Sequence, residues 1–378
     1  MNSKYPSISA LQKGASKKVP EFAFEYLEGG CNEEVNLKRN TADIRNKILE
    51  PHYIDGPSSV NTATQLFGET YSAPFGIAPI GLQGLIWPGA PEILAQAAFK
   101  ENIPFILSTV STASIETIAK ITEGKNWFQL YYPSDQSVRE DILNRAAAVG
   151  TKVLVLLSDV PSFGIRYKDI KNGLALPPKM SLRNIFQILQ HPDWALNTLW
   201  HGKPGFANMT PYMPKGLNLR QLGAFMNQNF SGRLTKERLL EIRSKWKGTL
   251  ILKGVASEVD AEMAREVGMD GIIISNHGGR QLDNGESTIN TLGRLADKYR
   301  SHYTVMMDSG IRTGADVAVS LATGAQFTFM GRTFMYGVGA LGKKGGGFTI
   351  NMLKKQLQQV MEQVGAPSVK ELPQFLLR

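Results

Sequence analysis

After Pro74 the chain alternates two kinds of segment. Short runs that are apolar at nearly every position are separated by longer stretches in which apolar residues return every three or four places. The short runs are FGIAPI (75–80), PFILST (104–109), NWFQLY (126–131), KVLVLLSD (152–159), TLILKG (249–254), DGIIIS (270–275), TVMMDSG (304–310) and FTFMGR (327–332). Near-continuous apolar runs suit strands covered on both faces, as in a parallel sheet. The intervening stretches 90–101, 136–149, 257–267 and 314–322 carry helical spacing. Eight such units predict an α/β fold, a (β/α)8 TIM barrel spanning about 74–363. The competing doubly wound sheet would need a G-x-G-x-x-G after its first strand, and none is there. Two further helical patterns, 8–18 and 21–29, precede the barrel, and the whole of 1–378 reads as one domain.

One segment breaks the rhythm. About ninety residues lie between the fourth and fifth runs, and loops that long are usually functional. From 177 to 235 six basic residues (Lys179, Arg183, Lys203, Lys215, Arg220, Arg233) face one acid, Asp193. That surplus of five is over half of the chain's net charge of +9. The same stretch holds Trp194, Trp200, Phe206, Met209, Met213, Phe225, Met226 and Phe230, read as exposed apolar groups. The expectation is a basic insertion, about 175–235, lying over the active face of the barrel. No nucleic-acid motif accompanies the charge, which makes an anionic lipid surface the better partner.

Composition narrows the setting. The single cysteine, Cys31, excludes an internal disulfide and fits a reducing compartment. The first twenty residues lack the apolar core of a signal peptide, and no apolar run approaches the roughly 18 residues that span a bilayer. A cytoplasmic protein is expected, with peripheral attachment to the inner face of the cell membrane as a further expectation.

Catalytic groups of a TIM barrel sit at the C-terminal ends of its strands. Here all eight runs end in polar or glycine-rich residues: Pro79-Ile80-Gly81, Ser108-Thr109, Gln129 with Tyr131, Asp159, Lys253-Gly254, Ser275-Asn276-His277, Asp308-Ser309-Gly310-Ile311-Arg312, and Gly331-Arg332. The last two supply glycines for close backbone approach and two arginines as anion partners, where barrels of this kind bind phosphate. His277 is the natural general base, since imidazole titrates near working pH. Arg280 follows it by three residues, and a guanidinium grips a carboxylate bidentately where lysine cannot.

SNHGGRQLD (275–283) resembles the signature of the FMN-dependent L-2-hydroxy acid oxidases and dehydrogenases. FEYLEGG, IAPIGLQG, LSTVST, WFQLYY, GIRYKD, ILKGV and MGRTF accompany it in order along nearly the whole chain. HPDWAL, GIRYKD and the wide insertion are most similar to the bacterial respiratory L-lactate dehydrogenases. The resemblance implies FMN as cofactor and oxidation of a small L-2-hydroxy acid, with L-lactate to pyruvate leading. It implies quinone as electron acceptor, an oxygen-using, peroxide-releasing oxidase as the alternative, and a homotetramer. It places Asp159 behind His277, Arg166 beside Arg280, and Tyr26 and Tyr131 against the substrate. Lys253 matches the lysine near the flavin N1–C2 edge. Ser108, Gln129 and Ser275 match partners of the ring or ribityl chain, and Pro79, Ile80 and Gly81 lie along the ring. Asp308 matches the ribityl partner, while Gly310, Arg312, Gly331 and Arg332 match the phosphate site.

Two positions depart from the family. Most relatives read Thr-Val-Asp where this chain has Leu157-Ser158-Asp159. Strand alternation puts Leu157 and Asp159 on one face and turns Ser158 away, so Ser158 cannot supply the missing hydroxyl without a local bulge. Several relatives carry a bulky aromatic where this chain has Val110, which leaves a smaller pocket wall.

Overall fold

The computed structural model describes residues 3–54, 56–174, 180–214, 225, 229–230 and 232–377. Eight parallel strands form its centre: β3 (Phe75–Ile77), β4 (Ile106–Ser108), β5 (Trp127–Leu130), β6 (Val153–Leu157), β7 (Thr249–Val255), β8 (Gly271–Ile274), β9 (Thr304–Met307) and β10 (Phe327–Met330). They are hydrogen-bonded in the order β3-β10-β9-β8-β7-β6-β5-β4, and a parallel bridge from Ile77 to Phe105 joins the two ends. This is a (β/α)8 barrel with helices before it and a long insertion between its fourth and fifth strands.

The period of two along each strand divides its side chains between two cores. Ile106, Trp127, Val153, Val155, Ile251, Ile273, Met306, Phe327 and Phe329 fill the barrel interior. Their neighbours Leu107, Phe128, Leu154, Leu156, Leu250, Leu252, Ile272, Ile274, Val305 and Met307 pack outward against the helices. Continuing each inner row by two residues leads upward to Ser108, Gln129, Leu157, Lys253, Ser275 and Asp308, six of the groups that line the cavity above the barrel or stand at its floor. The same hydrophobic alternation that closes the core therefore selects which polar residues enter the site.

The other end is closed by a hairpin that the hydrophobic pattern did not reveal. Strands β1 (Thr64–Leu66) and β2 (Glu69–Tyr71) pair across Phe67-Gly68, both at positive φ (49° and 80°) as a tight two-residue hairpin turn needs. Leu66, Phe67 and Tyr71 cover the lower barrel core, with Phe67 5.9 Å from the Trp127 ring and Tyr71 5.9 Å from the Phe327 ring.

The N-terminal helices Ile8–Ser16 and Glu21–Glu28 lie where expected, and a third, Val35–Arg45, follows them. The insertion contributes helices Tyr167–Lys171, Leu182–Gln190 and Pro192–His201. Its apolar residues are arranged differently from the expectation. Trp194, Met209 and Phe230 are buried, and Phe206, Met213 and Phe225 half-buried, because they seat the insertion on the barrel. Trp194 donates to the carbonyls of Leu85 and Ile86 (3.2 and 3.1 Å). Trp200 is exposed as expected, at 88%, and is joined by Leu182, Ile185, Phe186, Leu189, Leu196 and Leu199. Lys179, Lys215, Arg220 and Met226 lie outside the described residues.

Candidate functional site

A cavity of about 720 Å³ opens above the C-terminal ends of the strands. Of the residues singled out from the sequence, Tyr26, Pro79, Ile80, Gly81, Ser108, Gln129, Tyr131, Arg166, Lys253, His277, Arg280, Asp308, Gly310, Arg312, Gly331 and Arg332 line it. Asp159 and Ser275 stand immediately behind that wall, each bonded to lining residues. Leu157 also faces the cavity, while the Ser158 hydroxyl turns away to donate to the Lys253 carbonyl (2.9 Å). Val110 lines the wall beside Gly81.

The centre is a charged chain. His277 Nδ1 lies 2.9 Å from Asp159 Oδ1. Lys253 Nζ donates to Ser275 Oγ (2.9 Å) and stands 3.1 Å from Asp308 Oδ2 and 3.9 Å from Asp159 Oδ2. Burial alone would raise the Asp159 carboxyl, but His277 and Lys253 hold it below the usual carboxylate range. Burial pulls the Lys253 ammonium down, yet Asp308 and Asp159 outweigh it and raise the value. For His277 burial wins over the attraction of Asp159, so the imidazole is held below its ordinary value and is neutral at pH 7. With Nδ1 directed at Asp159, Nε2 is the ring nitrogen without a hydrogen-bond partner among the described residues.

Gly254 explains how these groups come so close. It has φ 105° at an irregularity in the register of β7 with β8, and a Cβ there would fall 2.7 Å from the backbone and Cβ of Asp159.

The anion end holds Arg166 and Arg280. Arg280 donates to the carbonyls of Tyr26 (2.9 Å) and Gly29 (2.6 Å) and lies over the Tyr26 ring, 5.1 Å from its centroid. Burial and the like charge of Arg166 lower Arg280 to about 9, which still leaves it charged at neutral pH. The Tyr131 hydroxyl is pushed up by burial and by Asp159, and stays protonated.

At the opposite end the helices Gly314–Ala322 and Arg332–Leu341 begin. The first of these is capped internally, Gly314 N–H donating to Gln356 Oε1 (2.9 Å) and Asp316 N–H to Thr313 Oγ1 (3.2 Å), whereas the start of helix Arg332–Leu341 and the Arg312 side chain line the cavity at a site suited to phosphate. Arg332 lines the same end, but its guanidinium donates to the carbonyls of Leu27 (2.8 Å), Gly29 (2.9 Å) and Gly278 (3.0 Å). It straps the end of helix Glu21–Glu28 to the His277 turn with three of its five N–H groups.

Sequence reasoning missed the residues that hold the His277 turn. The Asn276 amide donates to Asn36 Oδ1 (2.9 Å) and Asn40 Oδ1 (2.7 Å), and its oxygen accepts from Asn40 Nδ2 (2.9 Å) and the Gly279 N–H (3.1 Å). Asp283 accepts from the backbone of Glu33 and Asn36, and Ser309 Oγ accepts from the Gly278 N–H. Asn36 and Asn40 are both buried on one face of helix Val35–Arg45, and that four-residue spacing was the signal available. The turn is strained: His277 itself has φ 58°. A Cβ on Gly279 (φ 75°) would meet the Leu37 backbone at 2.5 Å. Asn276→Ala leaves buried amides unpaired, at about 1–3 kcal/mol for each group orphaned. The expected result is a lower unfolding midpoint together with a slower reaction of His277, checked by thermal denaturation and single-turnover kinetics on one preparation.

A model of FMN-dependent dehydrogenases matches residues 15–378. The L-lactate dehydrogenase of Pectobacterium atrosepticum is 37% identical over 359 residues, which is 95% of this chain and 93% of that protein. That of Vibrio parahaemolyticus is 37% identical over 97% of each chain. Among solved structures, the monotopic membrane protein (S)-mandelate dehydrogenase superposes with a TM-score of 0.94 at 32% identity, over 99% of this chain and 100% of that one. A mandelate oxidase superposes with a TM-score of 0.82 at 29% identity, over 99% and 98%.

Proposed function

The chain belongs to the FMN-dependent dehydrogenase family and is an FMN-dependent 2-hydroxy acid dehydrogenase or oxidase; on that premise we propose that it converts L-lactate to pyruvate, with His277 as the base. The observation that carries this reading is the neutral imidazole on Asp159, facing the same cavity as two arginines. A 2-hydroxy acid needs its carboxylate held while a proton leaves the reacting end. Arg166 and Arg280 hold the carboxylate, Tyr26 and Tyr131 orient it, and His277 Nε2 takes the proton. Asp159 stabilises the imidazolium that results.

The residues present fit the cofactor. Gln129 Nε2 is buried at the cavity with no hydrogen-bond partner among the described residues, a donor waiting for a ring carbonyl. Ser108 Oγ fixes that amide by donating to Gln129 Oε1 (2.9 Å). Lys253 places a cation at the same floor, Pro79, Ile80 and Gly81 line the wall, and the start of helix Arg332–Leu341 with Arg312 would receive a phosphate. When bound, FMN supplies a two-electron acceptor. Anaerobic addition of L-lactate to the flavin-loaded protein should bleach the flavin absorbance, faster than glycolate or L-mandelate does. Bleaching by none of these acids would overturn the reading.

For the electron acceptor we propose quinone, reached from a membrane surface. What supports this is the exposed apolar face of helices Leu182–Gln190 and Pro192–His201. Each large apolar side chain buried in lipid contributes about 1.5–3 kcal/mol, against about 1 kcal/mol for a basic group near an anionic surface. Arg183 is moreover already paired with Glu21 (2.8 Å). Apolar insertion thus outweighs the charge that the sequence emphasised. No helix among the described residues is long and apolar enough to cross a membrane, so attachment would be peripheral. The protein should sediment with anionic vesicles and stay bound in high salt, and a Phe186→Ser/Leu189→Ser/Trp200→Ser variant should stay in the supernatant. Rapid peroxide release in air would favour oxygen as the acceptor instead.

A further inference from the structure

GIRYKD carries a carboxylate that the proposed reaction does not use. Asp169, three residues after Arg166 on helix Tyr167–Lys171, lines the cavity and is only 6% exposed. Its Oδ2 lies 3.6 Å from Arg166 Nη1 and 4.0 Å from Arg280 Nη2, too far for hydrogen bonds but close for charge. Its Oδ1 is buried and accepts no hydrogen bond among the described residues. A buried acceptor left unpaired is costly, so a carboxylate in that position needs a reason.

The reason lies in the two guanidiniums. Two buried like charges repel each other and resist desolvation. One substrate carboxylate neutralises only half of a pair carrying two charges. We propose that Asp169 is the specificity-determining counter-charge of the carboxylate site, setting its net charge to one so that a monoanion is taken and a dianion is disfavoured. With Asp169 ionised, Arg166 and Arg280 present one net positive charge to the ligand, and a monocarboxylate leaves the cluster neutral. A second carboxylate would sit unpaired against Asp169, a repulsive element that discriminates as strongly as any attractive contact. The two groups that face Asp169 are the ones that hold the substrate, so it acts through them as a positioning residue. Burial raises its carboxyl, Arg280 and Arg166 lower it, and the balance lies above the usual value.

This inference rests on the reading that Arg166 and Arg280 receive the substrate carboxylate, and equilibrium binding tests it without turnover. Oxamate and oxalate have nearly the same shape and differ by one negative charge. Calorimetric titration of the flavin-loaded protein with each gives an oxalate-to-oxamate affinity ratio. Asp169→Asn should raise that ratio about tenfold, the size of one modest interaction difference, whereas Asp169→Glu, which keeps the charge, should stay within about threefold of the starting protein. An unchanged ratio in Asp169→Asn overturns the proposal, as does an equal rise in Asp169→Glu. Should Asp169→Asn not fold, the paired variant Asp169→Asn/Arg166→Gln is read instead, since it removes one charge of each sign. It should keep the original ratio while Arg166→Gln alone lowers it; equal ratios in those two variants would also sink the idea. Failure of oxamate and oxalate to bind at all would instead point to the carboxylate site itself being misplaced.

Discussion

His277→Ala should retain FMN and lose reduction by substrate by about three orders of magnitude, within the range of about 10²–10⁴ that a positioned base contributes. The imidazole makes its side-chain hydrogen bond to Asp159, while Lys253, Gln129, Ser108 and the start of helix Arg332–Leu341 stand elsewhere around the cavity. Retained yellow colour with lost anaerobic bleaching is therefore the expected pair of results. A variant bleached at the original rate would remove His277 from the mechanism. The intact protein gives a second readout. Burial holds the His277 value below about 6.5, its ordinary position, so the base is ready throughout the neutral range. kcat/KM, which reports the free enzyme, should be level around pH 7–8 and fall only as the pH drops through that lowered value.

Lys253→Met should carry the largest cost in stability. The ammonium is 4% exposed and is the cation facing both Asp308 (3.1 Å) and Asp159 (3.9 Å). Breaking a buried pair by removing one partner costs about 3–5 kcal/mol, because the remaining charge stays buried. With an unfolding entropy of about 2.1 cal/mol/K per residue, that corresponds to a midpoint lowered by roughly 4–6 °C. Lys253 has a raised value in the folded protein, so its contribution is whole below about pH 10.4 and is lost only as the pH rises past the folded value. The stability gap between the two proteins should thus stay wide across about pH 7–9 and close only as the pH rises past the folded Lys253 value. Thermal scans of the cofactor-free proteins from about pH 7 to 11 check it, and a gap that closes below about pH 9 would contradict the pairing. FMN binding should weaken in parallel, as the floor of the cavity loses its cation.

The way these groups are assembled explains how much was legible beforehand. Each barrel strand announces itself by an apolar run, and the alternation within that run fixes which terminal residue points inward. Lys253, Ser275 and Asp308 could be placed because Ile251, Ile273 and Met306 must fill the core below them. The same logic placed Leu157 on the cavity and turned Ser158 away from it. His277 and Arg280 were legible through a local motif, in which glycines bring two chemical groups to one turn.

Other parts have no local signal. The Asn276 network joins residues 236 and 240 positions apart in the chain, and hydrogen bonds across such distances leave no periodicity. Asp169 carries no local mark of a role, and only its distance to Arg280 sets it apart. Trp194, Met209 and Phe230 of the insertion, expected to be exposed, are buried for a related reason. Composition counts tryptophans, but only packing decides that Trp194 is an anchor and Trp200 is exposed.

The sequence by itself determined the barrel, its inward rows and the base with its nearest guanidinium, because hydrophobic period and backbone geometry act over a few residues. The tertiary structure alone decided which charges face one another: Lys253 between two aspartates, Arg332 spent on carbonyls, and Asp169 set against the substrate arginines. Coulombic balance depends on distance and burial in space, and neither is written along the chain.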